Sequence, residues 1–121
     1  MTEIQNSKRY DLEERTFQFS KSVALYVKQL PRNISNLEYC RQLVDSSGSV
    51  GANYIEANEA LGKKDFMMRV KICCKEAKES AYWLRLMVET NDEKWEQEGK
   101  NLLNEASELK KIFSSILTKS G

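Results

Sequence analysis

Apolar residues recur along this chain at three- and four-residue intervals through four long stretches, separated by short polar breaks. Leu12, Phe19, Val23, Tyr26 and Leu30 make the first stripe, that of an amphipathic helix. Residues 1–9 are polar and read as a loose end. Asp11 is placed to cap the helix, with Glu13 and Glu14 in its first turn, where the helix dipole favours negative charge. Pro31 stops it, because proline has no N–H to give to the ladder.

After a loop at Asn33–Asn36, with Ser35 or Asn36 as the cap, the second stretch points Leu37, Cys40, Leu43, Val44, Val50, Tyr54, Ala57 and Leu61 toward a core. It runs through Gly48 and Gly51, each of which costs a helix about 1 kcal/mol relative to alanine, so it needs close packing in compensation. Gly62 closes this helix. The third stretch carries Phe66, Val70, Cys73, Ala77, Ala81, Leu84 and Val88, and Thr90–Asn91–Asp92 makes the next turn. The fourth repeats Trp95, Gly99, Leu102, Ala106, Leu109, Phe113 and Ile116 in a heptad-like stripe before fraying over 118–121. The spacing predicts an all-α, single-domain, up-down-up-down four-helix bundle with helices near 11–30, 36–61, 64–90 and 93–118.

The second and third stretches hold more than an inward stripe. Ser46, Ser49 and Ala52, and opposite them Ala77, Ser80 and Ala81, are too short to hold two helices apart. Pairing the two runs about Gly62 sets Asn53 across from Cys73 and Ser49 across from Ala77. Asn53, Glu56, Glu76, Glu79 and Tyr82 then form a candidate polar seam. Two readings of it stand, a hydrogen-bonded network that specifies the fold and a catalytic set, with the structural one preferred. Met67, Met68, Ile72, Trp83, Leu86 and Met87 exceed one apolar face; they thicken the core or meet another subunit, with Tyr54, Met67 and Trp83 the candidate contacts.

Composition narrows the chemistry. The 121 residues suffice for one core. With 19 Lys and Arg against 18 Asp and Glu the net charge is +1, so any binding field comes from how the charges are distributed. No histidine is present, and Cys40, Cys73 and Cys74 lack C-x-x-C spacing, which excludes the common zinc and histidine-dependent sites; no cofactor, metal or catalytic residue is expected. Reduced cysteines, the lack of a signal-like amino terminus and the absence of an apolar run of about 18 residues fit a cytoplasmic protein that does not enter membranes. Gly-Ser-Val-Gly-Ala-Asn at 48–53 has no P-loop lysine and falls inside a predicted helix.

One charge pattern stands out. Lys64, Lys71, Lys78 and Arg85 fall seven apart with Lys75 beside them, a stripe roughly 30 Å long on the third helix. Residues 63–85 hold seven bases and three acids, a local balance of +4. The stripe is either an ordinary solvated face or a track for the phosphates of RNA.

Tyr10-Asp11-Leu12-Glu13, Leu30-Pro31, Ser49-Val50-Gly51-Ala52-Asn53-Tyr54-Ile55-Glu56-Ala57, Lys63-Lys64-Asp65-Phe66 and Lys75-Glu76-Ala77-Lys78-Glu79-Ser80-Ala81-Tyr82-Trp83-Leu84, in this order, resemble the four-helix bundle family of 23S rRNA intervening-sequence proteins. The resemblance spans residues 10 to about 90 and implies a small bacterial bundle that assembles as a ring, a homopentamer, often encoded within insertions in ribosomal RNA genes. A similar family is the accessory variability protein of diversity-generating retroelements, a strongly basic pentamer that binds nucleic acid and a reverse transcriptase. The present chain departs from it in being nearly neutral. The resemblance supplies no catalytic residue. The expected function is a non-enzymatic homo-oligomer that binds structured RNA or a ribonucleoprotein, with a protein-binding scaffold as the alternative.

Overall fold

The computed structural model describes the backbone of residues 2–120 and the side chains of residues 11–120. Four α-helices follow one another, α1 (Thr2–Val27), α2 (Ile34–Asn58), α3 (Lys63–Thr90) and α4 (Glu96–Ser120), with a 3₁₀ turn at Glu93–Trp95 leading into α4. Among the described residues there is no strand. Short connections force successive helices to run antiparallel, and each packs on its neighbours around a square: α1 on α2 and α4, α3 on α2 and α4. The α2–α3 and α3–α4 contacts are the most extensive.

The stripes read from the sequence meet in one core. Phe19, Val23 and Tyr26 of α1, Leu43, Val50 and Tyr54 of α2, Val70, Cys73, Ala77, Leu84 and Met87 of α3, and Leu102, Ala106, Leu109 and Phe113 of α4 are buried together. Leu37, Val44 and Leu61, expected to point inward, are exposed. Leu37 and Val44 lie on the outer side of α2, and Leu61 follows the helix end. Two close approaches set the spacing on the α1 side. A Cβ on Gly51 would lie 3.1 Å from Thr16 Oγ1, and one on Gly99 would lie 2.7 Å from the Tyr26 hydroxyl. The first lets α1 and α2 touch, and the second makes room for a large ring against α4.

Helix ends differ from the sequence expectation in definite ways. Residues 1–9 were expected to be loose and Asp11 to cap; instead α1 begins at Thr2 and runs through Asp11, because residues 2–10 contain no proline or glycine to break the ladder. It ends at Val27, after which the chain tightens through Gln29 N–H to Tyr26 O and Leu30 N–H to Val27 O before Pro31. Asn33, not Ser35 or Asn36, caps α2, its side chain accepting from Asn36 N–H at 2.9 Å. Asn36 is buried inside the first turn. It exchanges side-chain amide hydrogen bonds of 2.8 and 2.9 Å with Asn91, the residue that ends α3, and also donates to Pro31 O. One end of the bundle is thereby closed by an asparagine pair. At the other end α2 stops at Asn58 with Glu59 as its cap, so Gly62 does not close α2 but precedes the first turn of α3 in an extended conformation. α4 continues to Ser120 rather than fraying from 118.

Candidate nucleic-acid interface

α3 packs on both α2 and α4, so its inward positions are fixed by Val70, Cys73, Ala77, Leu84 and Met87. At 100° per residue the side opposite that row falls on Lys64, Met68, Lys71, Lys75, Lys78, Tyr82, Arg85 and Glu89, spaced alternately four and three. All eight are exposed. The five predicted basic residues therefore share one solvent-facing ridge. Arg85 pairs with Glu89 one turn on, Nε to Oε2 at 3.2 Å, whereas Lys64, Lys71, Lys75 and Lys78 have no carboxylate within 4 Å among the described residues. Unpaired lysines in a row leave their charge available to an anion.

Met68 and Tyr82 are interleaved with the lysines, and the sequence reading missed them as members of this face. Tyr82 is 59 % exposed. The four-three spacing that continues through both positions was the signal that could have placed them. Tyr82 stands edge-on to Trp83, ring centres 5.1 Å apart and planes at 76°, and Trp83 stacks on Tyr39 of α2 at 6.1 Å and 30°. Trp83 is half-buried under this contact, so it is braced within the protomer. Beside it Tyr82, Arg85, Leu86 and Glu89 line a recess of about 170 Å³.

The five residues expected to form one polar seam do not meet as a set. Asn53 lies between α2 and α3, donating to Ser49 O at 2.9 Å and accepting from Arg69 Nη1 at 3.0 Å. Glu56, Glu79 and Tyr82 are exposed, since each lies beyond the strip of its helix that faces the other. Glu76, half-buried, faces α2; burial, a hydrogen bond with Glu79 and the charges of Glu79 and Asp45 push its carboxyl up to about 7, against a smaller opposing effect of Lys75. The seam proper is made by shorter groups: Ser46 and Ser80 hydroxyls 2.8 Å apart, and Cys73 Sγ over Val50 O at 3.4 Å. Arg69 was not among the residues expected at the seam, and Ser46 and Ser80 were expected there only as short side chains, not as its hydrogen-bonding pair.

Of the three candidate subunit contacts, Tyr54 is corrected: it is 5 % exposed and its ring packs on Phe113 of α4 at 5.7 Å, so it belongs to the protomer core. Met67 is half-buried and lines an open, largely apolar cleft of about 1060 Å³ at the α2–α3 turn with Leu61 and Met68. Further exposed apolar residues lie elsewhere, at Phe17 of α1 and Leu37, Val44 and Ile55 on the side of α2 nearest α1.

All three cysteines are free thiols, and burial pushes Cys73 up to about 12 and Cys40 upward. Neither is a reactive thiolate. Among the described residues no group of three or more Cys, Asp or Glu side chains is placed to hold a metal ion. No helix among them is long and apolar enough to cross a membrane.

A family model described as "23S rRNA-intervening sequence protein" matches residues 8–115. The chain belongs to that family. The match includes the whole of the α3 ridge and nearly all of α4, for which the sequence motifs gave only a pattern. Among solved structures, one of a protein of unknown function from the S23 ribosomal protein family of Bacteroides thetaiotaomicron superposes with a TM-score of 0.72 at 28 % identity, covering 87 % of this chain and 96 % of that one. No curated protein matches the chain. These similarities point to no enzyme family.

Proposed function

We propose that this protein is a non-enzymatic, self-associating bundle of the cytoplasm that binds structured RNA, free or within a ribonucleoprotein, along the outer face of α3. The observation that carries the reading is the ridge itself: four lysines without ion partners among the described residues and Arg85, all exposed, in line over roughly 30 Å of helix. Its length is comparable with a run of backbone phosphates, and Lys and Arg contacts to phosphate supply most of the affinity in such complexes. The family's description, which names an intervening sequence of 23S rRNA, supports RNA as the polyanion.

Self-association supports the same reading. One ridge on a chain of net charge +1 makes a weak site, but copies held in a ring raise the effective concentration for every further contact. The surfaces offered for it are the apolar side of α1 and α2, with Phe17, Leu37, Val44 and Ile55 exposed, and, separately, the cleft of Met67 and Leu61 at the α2–α3 turn. The number of subunits implied by the family resemblance is five. Those apolar residues also favour a second reading, a scaffold that binds other proteins and no RNA.

The two readings separate in a binding experiment with a structured 23S rRNA fragment. The RNA reading expects Lys71→Glu/Lys78→Glu to lose most of the affinity, while Lys21→Glu/Lys28→Glu, the same change of charge at exposed residues of α1 and the turn that follows it, loses much less. Equal losses, or no binding by the parent protein, leave the scaffold reading in place.

A further inference from the structure

The α3 ridge is more than a row of cations, because Tyr82 stands in it one turn after Lys78 and one turn before Arg85. An exposed tyrosine on a lone helix swings through several rotamers. Here the neighbouring Trp83 presents its ring at 76° and 5.1 Å, and Trp83 is itself held by stacking on Tyr39. Tyr82 is thus braced along one edge while most of its surface faces solvent. Next to it opens the recess of about 170 Å³ that Tyr82 shares with Arg85, Leu86 and Glu89. Arg85 engages Glu89 through Nε, which leaves its terminal amino groups free for an anion. A flat aromatic face, a recess of small volume and cations one turn away on either side are the parts of a site for a nucleotide whose base is not paired.

Resting on the RNA reading of α3, we propose that Tyr82 is a stacking platform for an unpaired RNA base, of a hairpin loop or a bulge, with Lys78 and Arg85 holding the phosphates on either side of it. The chemistry decides against a continuous duplex as the preferred ligand. Inside a helix the base faces are covered by their neighbours, so an aromatic ring gains nothing there and only the lysines act. In a loop the faces are open, and stacking on one aromatic side chain commonly changes affinity about tenfold or more. The helix therefore selects loop-bearing RNA without reading its sequence, since every base offers a face to stack.

The test uses two RNAs of equal length and charge at one fixed salt concentration, a blunt duplex and a stem closed by an unpaired loop. Binding is followed by electrophoretic shift and, in a Trp95→Phe background that leaves Trp83 as the one tryptophan, by fluorescence. For the parent protein the loop RNA is expected to bind about tenfold tighter than the duplex. Tyr82→Ala should bring the loop RNA to the affinity of the duplex, and Tyr82→Phe, which keeps the ring, should retain the preference. Circular dichroism of both variants checks that the bundle is intact. Equal binding of the two RNAs by the parent, or a preference that survives Tyr82→Ala, overturns the platform while leaving the cationic ridge standing. Failure of both RNAs to bind overturns the ridge and the platform together.

Discussion

Ser46 of α2 and Ser80 of α3 meet across a hydrogen bond of 2.8 Å with both side chains buried. Ser80 also lies 2.9 Å from the Glu76 carbonyl and Ser46 3.3 Å from the Leu43 carbonyl, so one hydroxyl donates to the other while the second donates to its own helix backbone. The relay runs from one helix through the other into its backbone and uses each proton once. It also fixes the register, since a slip of one residue along either helix separates the pair.

Removal of one hydroxyl from this relay is therefore mild and an increase in bulk is not. Ser80→Ala should cost about 1 kcal/mol, because Ser46 can turn back to Leu43 O, 3.3 Å away. Ser80→Leu must push α2 and α3 apart and should cost about 3 kcal/mol or more. Urea unfolding of the two variants measures both, and similar midpoints would contradict the close crossing.

The glycines of α2 and α4 make opposite predictions. Gly99→Ala would place a Cβ 2.6 Å from Val88 Cγ2 and 2.7 Å from the Tyr26 hydroxyl, and should destabilise by about 1–3 kcal/mol despite alanine's helix preference. Gly48→Ala meets nothing nearer than Ser20 Oγ at 3.9 Å, and should stabilise by about 1 kcal/mol. Thermal melts of the two proteins check the signs.

Tyr26 extends this test into the core. Its ring is fully buried, its hydroxyl has no hydrogen-bond partner among the described residues, and burial followed by the charge of Glu98 pushes it up to about 12. Tyr26→Phe removes the unsatisfied group and leaves the ring in place, so stability should rise by about 1 kcal/mol. A fall in unfolding free energy would show that the hydroxyl has a partner.

The pH dependence of stability follows from Glu76. Its folded pKa lies above the unfolded one, so the folded state holds the proton more tightly and the stability it confers is fully present below about 4.5, the ordinary value of a glutamate. That stability is lost as pH rises through about 7. Glu76→Gln should flatten this decline and make the protein more stable than the parent at pH 8, as read by denaturant midpoints across the range. A parent protein no less stable at pH 8 than at pH 5 would contradict the placement of Glu76 beside Glu79 and Asp45.

What was legible in the sequence is what periodicity determines. The buried rows Phe19–Val23–Tyr26, Val70–Cys73–Ala77–Leu84 and Leu102–Ala106–Leu109–Phe113 are the predicted stripes, and the small residues at 46 and 80 lie where α2 and α3 meet. The helix starts were not legible where no breaker stands, as at residues 2–10, or where one cap residue competes with the next, as at Asn33 to Asn36. Tyr54 shows the limit for surfaces: its stripe position is equally good for a core or an interface, and only the ring of Phe113 across the bundle decides. For the candidate site the lysines were legible. Tyr82 was drawn into the wrong group because positions 76, 79 and 82 drift steadily around the helix, from the α2 side to the solvent ridge.

The central claim is that the α3 ridge neutralises phosphates, and the dependence of RNA affinity on salt tests it most directly. A plot of log Kd against log salt concentration for a structured rRNA fragment should be steep for the parent protein, each neutralised phosphate contributing about 0.7–0.9 to the slope. For Lys71→Glu/Lys78→Glu the slope should be shallower by at least about one. An unchanged slope in that variant, or parent binding indifferent to salt, would contradict the claim.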